Sequence, residues 1–406
     1  MKEKAALIAD RVVEFSLYGL IISIPISKAA IEIFASLAIA SFIVKKMLQP
    51  KFIFRDSPLR EQPLLLAHLF LLLFFVFCGL SLFNSGIYLK KSMGALFFKW
   101  AEYILVFLIV EDTLASRQRI RNAIAIFLTV GGVVAIDALS QHFFGWEFLR
   151  GKQMRAGTYF ITGPFNHYNG LAAYLVCILA LMLALFSCIK FKNRIYYFGL
   201  FFIAILLGTS FLFTFSRGGW MGFIAAGLLM LFLSRKWRVI LPIIFIFLIL
   251  VILVPAIRVR AVFTFQAGGD ASRFSIWKGA WVMIKENPFL GKGLGTFMPY
   301  FPKYAPGLGN KYAHNCFLQI WAETGIFSLL SFLIFLGLLI YNGIKLCLGK
   351  CDFLILGILC ALFGFIVHSF FDNQLYSPQL SALFWLLLGI LSALINSTDN
   401  SIKEKG

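Results

Sequence analysis

Three basic side chains in this sequence combine a useful chemistry with a telling position. His314 sits in Lys311-Tyr-Ala-His314-Asn315-Cys-Phe-Leu-Gln-Ile-Trp-Ala-Glu323-Thr-Gly325, where the longest hydrophilic segment (residues 258–313) gives way to an apolar run ending near Tyr341. An imidazole has a reference pKa of about 6.5, so near neutral pH it can take a proton from a hydroxyl. Arg217 and Arg273 each follow a serine able to cap a helix, in Ser216-Arg217-Gly218-Gly219 and Ser272-Arg273. A guanidinium beside free N–H groups at a helix start attracts an anion, and two such devices on one face suit a diphosphate. Each residue has a plainer role as well. A lone interfacial histidine is more often a packing residue, and a lone interfacial arginine more often reaches lipid headgroups. Pairing of the arginines with Asp270, Glu323 or Asp372 is the structural alternative.

Other polar residues surround these. Gly163-Pro-Phe-Asn166-His167-Tyr-Asn169-Gly170 precedes a span; Asn166 and Asn169 can hold sugar hydroxyls, or satisfy backbone groups where the chain re-enters the membrane. Arg150, Lys152 and Arg155 form a small basic patch before it, and His167 is a weaker candidate base than His314. Asn315, Arg155, Asn166, Asn169 and Asp372 are expected to contact substrate. Glu323 lies about two and a half helical turns beyond His314 and needs a partner at that depth. No Asp-x-Asp motif, glycine-rich phosphate loop or metal-ligand cluster is present in the sequence, so the expected reaction needs no metal and no cofactor. The seven cysteines are scattered, and Cys347 with Cys351 is a weak metal signal, so no disulfide framework is expected.

The elements that must position these residues are membrane helices. The chain has 406 residues, 60% hydrophobic and 14% charged, far outside the range of a soluble domain. Apolar stretches without two-residue alternation predict an all-α polytopic membrane protein, not a barrel. Twelve spans are expected, at 12–28, 30–44, 63–83, 93–110, 121–141, 168–189, 195–214, 218–233, 239–257, 316–341, 352–372 and 378–396. The chain then divides into membrane helices over 1–257, a large loop over 258–315, further membrane helices over 316–396, and a tail over 397–406. The first span reads as an uncleaved anchor. With both termini in the cytoplasm, the short connections with dense basic clusters fall on one side, as the positive-inside rule asks; Lys90, Lys91 and Lys99 run against it. Much of the net charge of +19 is thereby assigned to loops beside lipid, not to nucleic acid. In the large loop, Phe274, Trp277, Trp281 and Ile284 recur at helical spacing, predicting an amphipathic helix flat on the membrane surface and stopped at Asn287-Pro288.

Together, Ser216-Arg217-Gly218-Gly219-Trp220 opening a span, Arg273 in the large loop, His314-Asn315 with Gly325 beyond, and the Gly163–Asn169 stretch resemble the O-antigen ligase family. Its superfamily also holds O-antigen polymerases and protein O-oligosaccharyltransferases. The resemblance covers the chain from about residue 157 onward; the first 150 residues match only in hydropathy. It implies a twelve-span, GT-C-like glycosyltransferase of the bacterial inner membrane with a large periplasmic loop. The implied donor is a glycan on undecaprenyl pyrophosphate, and the implied acceptor is a hydroxyl of lipid A–core oligosaccharide. It implies pyrophosphate binding by Arg217 and Arg273 and base catalysis by His314, with inversion by direct displacement. The alternatives are a polymerase or protein-glycosylating enzyme of the same superfamily and, in another class, a membrane anion transporter. Transporters place their charges near the bilayer midplane, which disfavours that last reading.

Overall fold

The computed structural model describes residues 2–49, 64–154, 160–188, 194–253, 255, 258–259, 271–349 and 352–403. The described helices are α1 (Lys2–Ser23), α2 (Lys28–Leu48), α3 (Leu65–Asn84), α4 (Gly86–Thr113), α5 (Arg117–Phe144), α6 (Tyr168–Cys188) and α7 (Arg194–Phe213). They continue as α8 (Arg217–Ser234), α9 (Trp237–Leu253), α10 (Ala271–Glu286), α11 (Phe297–Tyr304), α12 (Cys316–Gly349), α13 (Phe353–Ser369) and α14 (Pro378–Lys403). Several start where the sequence supplies a cap: Ser116, Ser216 and Asp352 each accept an N–H from the first turn of α5, α8 and α13.

The chain is a multi-pass helical membrane protein, but the expected twelve spans are not reached on length and composition. Among the described residues, seven helices are long and apolar enough to cross: α3, α4, α5, α6, α8, α12 and the Pro378–Ser397 part of α14. The apolar stretches of α7, α9 and α13 are shorter than 18 residues, and a 17-residue helix is about 25 Å long against a hydrocarbon core of about 30 Å. Charges break the apolar runs of the other two: Asp10, Arg11 and Glu14 in α1, and Glu32, Lys45 and Lys46 in α2.

Burial sorts the helices. The crossing part of α14 is 89% buried and that of α6 is 78%, while α3 has only 28%. The first two are therefore central and α3 faces lipid. α13 packs on α6 and α8. Its crossing with α8 is close because Gly222 and Gly364 face each other: a Cβ on Gly222 would lie 2.5 Å from the Gly364 carbonyl oxygen.

The bundle has two polar ends. At one, Lys45 bridges Asp10 and Asp112, Arg119 reaches Asp10 and Glu14, Glu111 holds His68 and Asn396, and Arg117 meets Asp352. Connections expected on one common side therefore do gather at one end. At the other, Gln379 at the start of α14 donates to Ile24 and Pro25 in the α1–α2 turn.

α10 lies where the interfacial helix was expected. Ile276, Ala280, Met283 and Ile284 pack against Phe297, Phe301, Ala313 and Ala322, whereas Phe274 and Trp281 are 67% and 44% exposed. Of the expected aromatic stripe only Ile284 is fully buried, with Trp277 half-buried and bonded through Nε1 to the Ala313 carbonyl. Gly279 lets α10 approach α11 closely, since a Cβ there would lie 2.8 Å from the Ala305 Cβ.

α12 is broken at Gly325, whose φ of 82° and ψ of 173° are not helical. The segment after α10 fills the break. Ile326 N–H donates to the Pro288 carbonyl at 2.9 Å; the carbonyls of Ala322 and Glu323 accept from Lys292 and Gly293 at 2.9 and 2.8 Å. A Cβ on Gly325 would lie 1.9 Å from the Phe289 carbonyl oxygen, so only glycine allows this approach. Gly337, in the same helix, has open space around it. Gly325→Ala is expected to cost at least about 3 kcal/mol by forcing the junction apart, while Gly337→Ala stays near neutral. Thermal unfolding of the detergent-purified variants checks this; equal melting temperatures would contradict the junction.

Candidate active site

The residues singled out in the sequence converge at the end that carries the α1–α2 turn. Arg217, on the first turn of α8, and Arg273, on the first turn of α10, line one recess with Tyr168, Asn169, Gly218, His368 and Phe371. The recess is small, about 10 Å³. Gly218 is required there, since a Cβ would lie 2.7 Å from the His368 ring.

The α8 turn is built tightly. Phe215 has a φ of 53°, in the left-handed region that side chains rarely adopt. Ser216 follows as the cap; its hydroxyl accepts from Gly219 N–H and donates to the Asn169 side-chain Oδ1 at 2.7 Å. Asn169 is buried, so its side chain ties α6 to the arginine turn. Asn166 is exposed and accepts from Lys152 Nζ. Arg150 donates to the Pro164 carbonyl, and its backbone N–H with that of Lys152 donates to the buried Glu147 carboxylate. The basic patch is thus partly tied into its own loop. Arg155 and Asp270 lie outside the described residues, as does the Ser272 side chain.

His314 repeats the device of the α8 turn. Its φ is 48°, and the next residue, Asn315, caps α12 by accepting from the N–H groups of Phe317 and Leu318. Left-handed non-glycine residues cost about 1–3 kcal/mol and persist where surrounding structure holds them. Here the hold is visible: Ala313 N–H donates to Gln319, and Gln319 also accepts from Asn373 at 2.6 Å. Those bonds draw the α13–α14 turn over the start of α12.

That turn carries Asp372, which accepts from His314 Nδ1 at 3.1 Å and from Asn373 N–H at 2.9 Å. The bond assigns the Nδ1 proton and leaves Nε2 with a lone pair. Burial alone would raise the Asp372 carboxyl, but the His314 hydrogen bond and the nearby His368 outweigh it and hold the group well below the usual carboxylate range. Asp372, expected to touch substrate, is thus placed on the imidazole. Phe371 beside it belongs to the arginine recess, so His314 and the two arginines share one neighbourhood.

Glu323 finds no arginine. Its carboxylate accepts from Gly295 and Phe297 N–H, Gln319 Nε2 and Tyr376 OH, all within 3.1 Å. It fastens the large loop to α12 and is not the group on His314. His368 was overlooked in reading the sequence, although an ionisable residue inside an apolar helix is a recognisable signal. It is buried, meets Gln374 at 3.2 Å through Nε2, and its Nδ1 has no partner among the described residues. Among the described residues, no group of three or more His, Cys, Asp or Glu is placed to hold a metal ion.

Beneath the arginine turn, an apolar groove of about 620 Å³ runs between α6, α7, α8 and α9. Its walls include Leu183, Phe201, Phe223 and Phe247, and Phe211 and Leu212 bring it up to the Ser216 turn.

Fold and site together define a multi-pass helical membrane protein with an imidazole–carboxylate pair and two guanidinium groups gathered at one end. Residues 202–333 match the family model described as O-antigen ligase, so the resemblance read from the motifs holds over that stretch. Arg217, Arg273, His314 and Gly325 lie inside the match; Asn169, His368 and Asp372 lie outside it. The match supports assignment of the chain to the O-antigen ligase family and a glycan-transferring role of that general kind in a membrane. No curated protein matches the chain.

The depressed Asp372 carboxyl gives a signed pH prediction. A carboxylate with a lowered folded pKa contributes stability above its unfolded value, about 3.9, and loses it as pH falls through the folded value. Wild type should therefore exceed Asp372→Asn in thermal stability in full at pH 5 and by less at pH 3. An equal excess at both pH values would contradict the pairing.

Proposed function

We propose that this protein transfers a glycan from undecaprenyl pyrophosphate to a hydroxyl of lipid A–core oligosaccharide at the periplasmic face of the bacterial inner membrane. The observation that carries the reading is the neighbourhood of His314–Asp372 and the Arg217–Arg273 recess. The arginines bind the pyrophosphate, which bears negative charge before and after transfer. The apolar groove below them takes the polyprenyl chain. His314 Nε2 removes the proton from the acceptor hydroxyl as that oxygen attacks the anomeric carbon. The bond from that carbon to the pyrophosphate oxygen breaks, and undecaprenyl pyrophosphate leaves. Asp372 orients the ring and stabilises the imidazolium that forms. One displacement inverts the anomeric centre and needs neither a covalent intermediate nor a resident metal.

The location follows from charge. The end holding Lys45, Lys46, Arg117 and Arg119 is assigned to the cytoplasm by the positive-inside rule, which puts His314 on the periplasmic side and both termini inside. The α1–α2 hairpin and the shorter α7, α9 and α13 complete twelve passes in this reading, in a GT-C-like arrangement. Membrane lipids surround the bundle, and nucleic acid has no part.

A polymerase would share donor and chemistry but extend a second lipid-linked glycan. The lipopolysaccharide of a null strain separates the two: lipid A–core without polymer fits the ligase, and core bearing a single repeat fits the polymerase. For the arginines, Arg217→Ala and Arg273→Ala should each lower transfer in proteoliposomes by about 10²-fold or more, with lysine restoring only part. Undecaprenyl pyrophosphate release is the readout. Wild-type release from both alanine variants would remove the pyrophosphate assignment.

A further inference from the structure

On the other flank of the His314–Asp372 pair lies a second cavity, about 110 Å³ against about 10 Å³ for the arginine recess. Lys91, Lys99, Trp100 and Tyr103 of α4 line it, with Tyr312 and Tyr376 opposite. Tyr312 precedes His314 by two residues and Tyr376 follows Asp372 by four; their rings are 6.3 Å apart. The chain segments that carry the imidazole–carboxylate pair thus also line a cavity with two ammonium groups, where the arginine recess has two guanidinium groups.

The geometry of α4 is specific to this cavity. In a straight α-helix, residues eight apart point roughly 80° away from each other. Between Lys91 and Lys99 the helix takes a π turn at Leu96–Trp100, where Ala101 N–H donates to the Leu96 carbonyl five residues back. Lys99 lies inside that wider turn, which brings it closer to the face of Lys91 than a straight α-helix would. Lys91, Ala95, Lys99, Trp100 and Tyr103 therefore form one stripe facing the cavity. Among the described residues neither lysine has an ion-pair or hydrogen-bond partner, and both are exposed. Lys90, on another face of the helix, does not line the cavity.

Two exposed cations with no ion-pair partner among the described residues, set among flat aromatic side chains, suit a ring that carries negative charge. We propose that this cavity is the acceptor subsite and selects an acidic sugar, one bearing phosphate or carboxylate, so that a neighbouring hydroxyl is presented to His314. The proposal rests on the transfer reading above for its role, and on the cavity alone for its ligand chemistry. An anionic phospholipid headgroup offers the same charge without the sugar ring, since Phe97 and Phe98 on the adjoining face are 54% and 79% exposed.

The test uses the full-length protein in nanodiscs of neutral lipid. The probes are a phosphorylated, deacylated core oligosaccharide and the same molecule after removal of its phosphates. Wild type is expected to bind the phosphorylated probe at least tenfold tighter. The Lys91→Ala/Lys99→Ala double variant should lose that preference, Lys91→Arg/Lys99→Arg should keep it, and donor KM should be unchanged in both. In the transfer assay the loss should fall on acceptor KM more than on kcat. Equal binding of the two probes by wild type, or an unaltered preference in the double alanine variant, would overturn the proposal. So would displacement of the sugar by nanodiscs of anionic lipid, which marks a headgroup site. Wild type that shows the lysine-dependent preference but transfers no glycan would count against the transfer reading and for the subsite.

Discussion

The structure depends on the break in α12 at Gly325. A membrane helix that stops being helical frees backbone groups, and in a low-dielectric setting each must find a partner. Here the partners come from residues 288–293, so the large loop is bonded into the helix and does not merely rest on it. Glu323 adds a carboxylate buried to 1% exposure and surrounded by four donors, two of them backbone N–H groups of the loop. Leaving a buried polar group of this kind without one of its partners costs about 1–3 kcal/mol. The short piece of α12 between Asn315 and Gly325 is thereby fixed at both ends, by a cap and by a junction.

Everything at the site is referred to that piece. His314 leads into it in a left-handed conformation, and Gln319, one turn along, holds Ala313 and the α13–α14 turn that brings Asp372. α13 in turn crosses α8 at Gly222 and Gly364, close enough to set Gly218 and Arg217 against His368. The loop on the far side of the junction sits on α3 and α4, where Asn84 donates to the Gly291 carbonyl and Ser92 to the Leu294 carbonyl. One chain of contacts therefore runs from the lysine cavity through the imidazole to the arginines, over elements distant in sequence.

The parts of this arrangement that were legible from sequence are those that lie where an apolar run meets a polar one. His314, Arg217 and Arg273 stand at such boundaries; Ser216 and Asn315 cap α8 and α12, whereas α10 already begins at Ala271, ahead of the expected cap Ser272. Long-range pairs were not legible. Asp372 is 58 residues from His314, and only the fold shows that it meets Nδ1. The stripe expected to lie on the membrane leaves Phe274 and Trp281 exposed, and the opposite, protein-facing contact of α10 was not singled out from sequence. The core contact is made by Ile276, Ala280 and Met283, and the aromatics lie beside it. The twelve spans were counted from hydropathy alone, which does not register that α7, α9 and α13 are short or that α1 and α2 carry charge. The π turn of α4 was not legible because no residue type announces it.

The central claim is that His314 acts as a base while the arginines hold the donor. Single-turnover transfer by His314→Gln, with donor affinity measured in parallel, tests it most directly. Glutamine can hydrogen-bond but cannot take a proton at neutral pH. The account predicts wild-type donor binding and a transfer rate lower by about 10²–10⁴-fold. A His314→Gln protein that transfers at the wild-type rate would contradict it, leaving His314 as a packing residue held by Asp372.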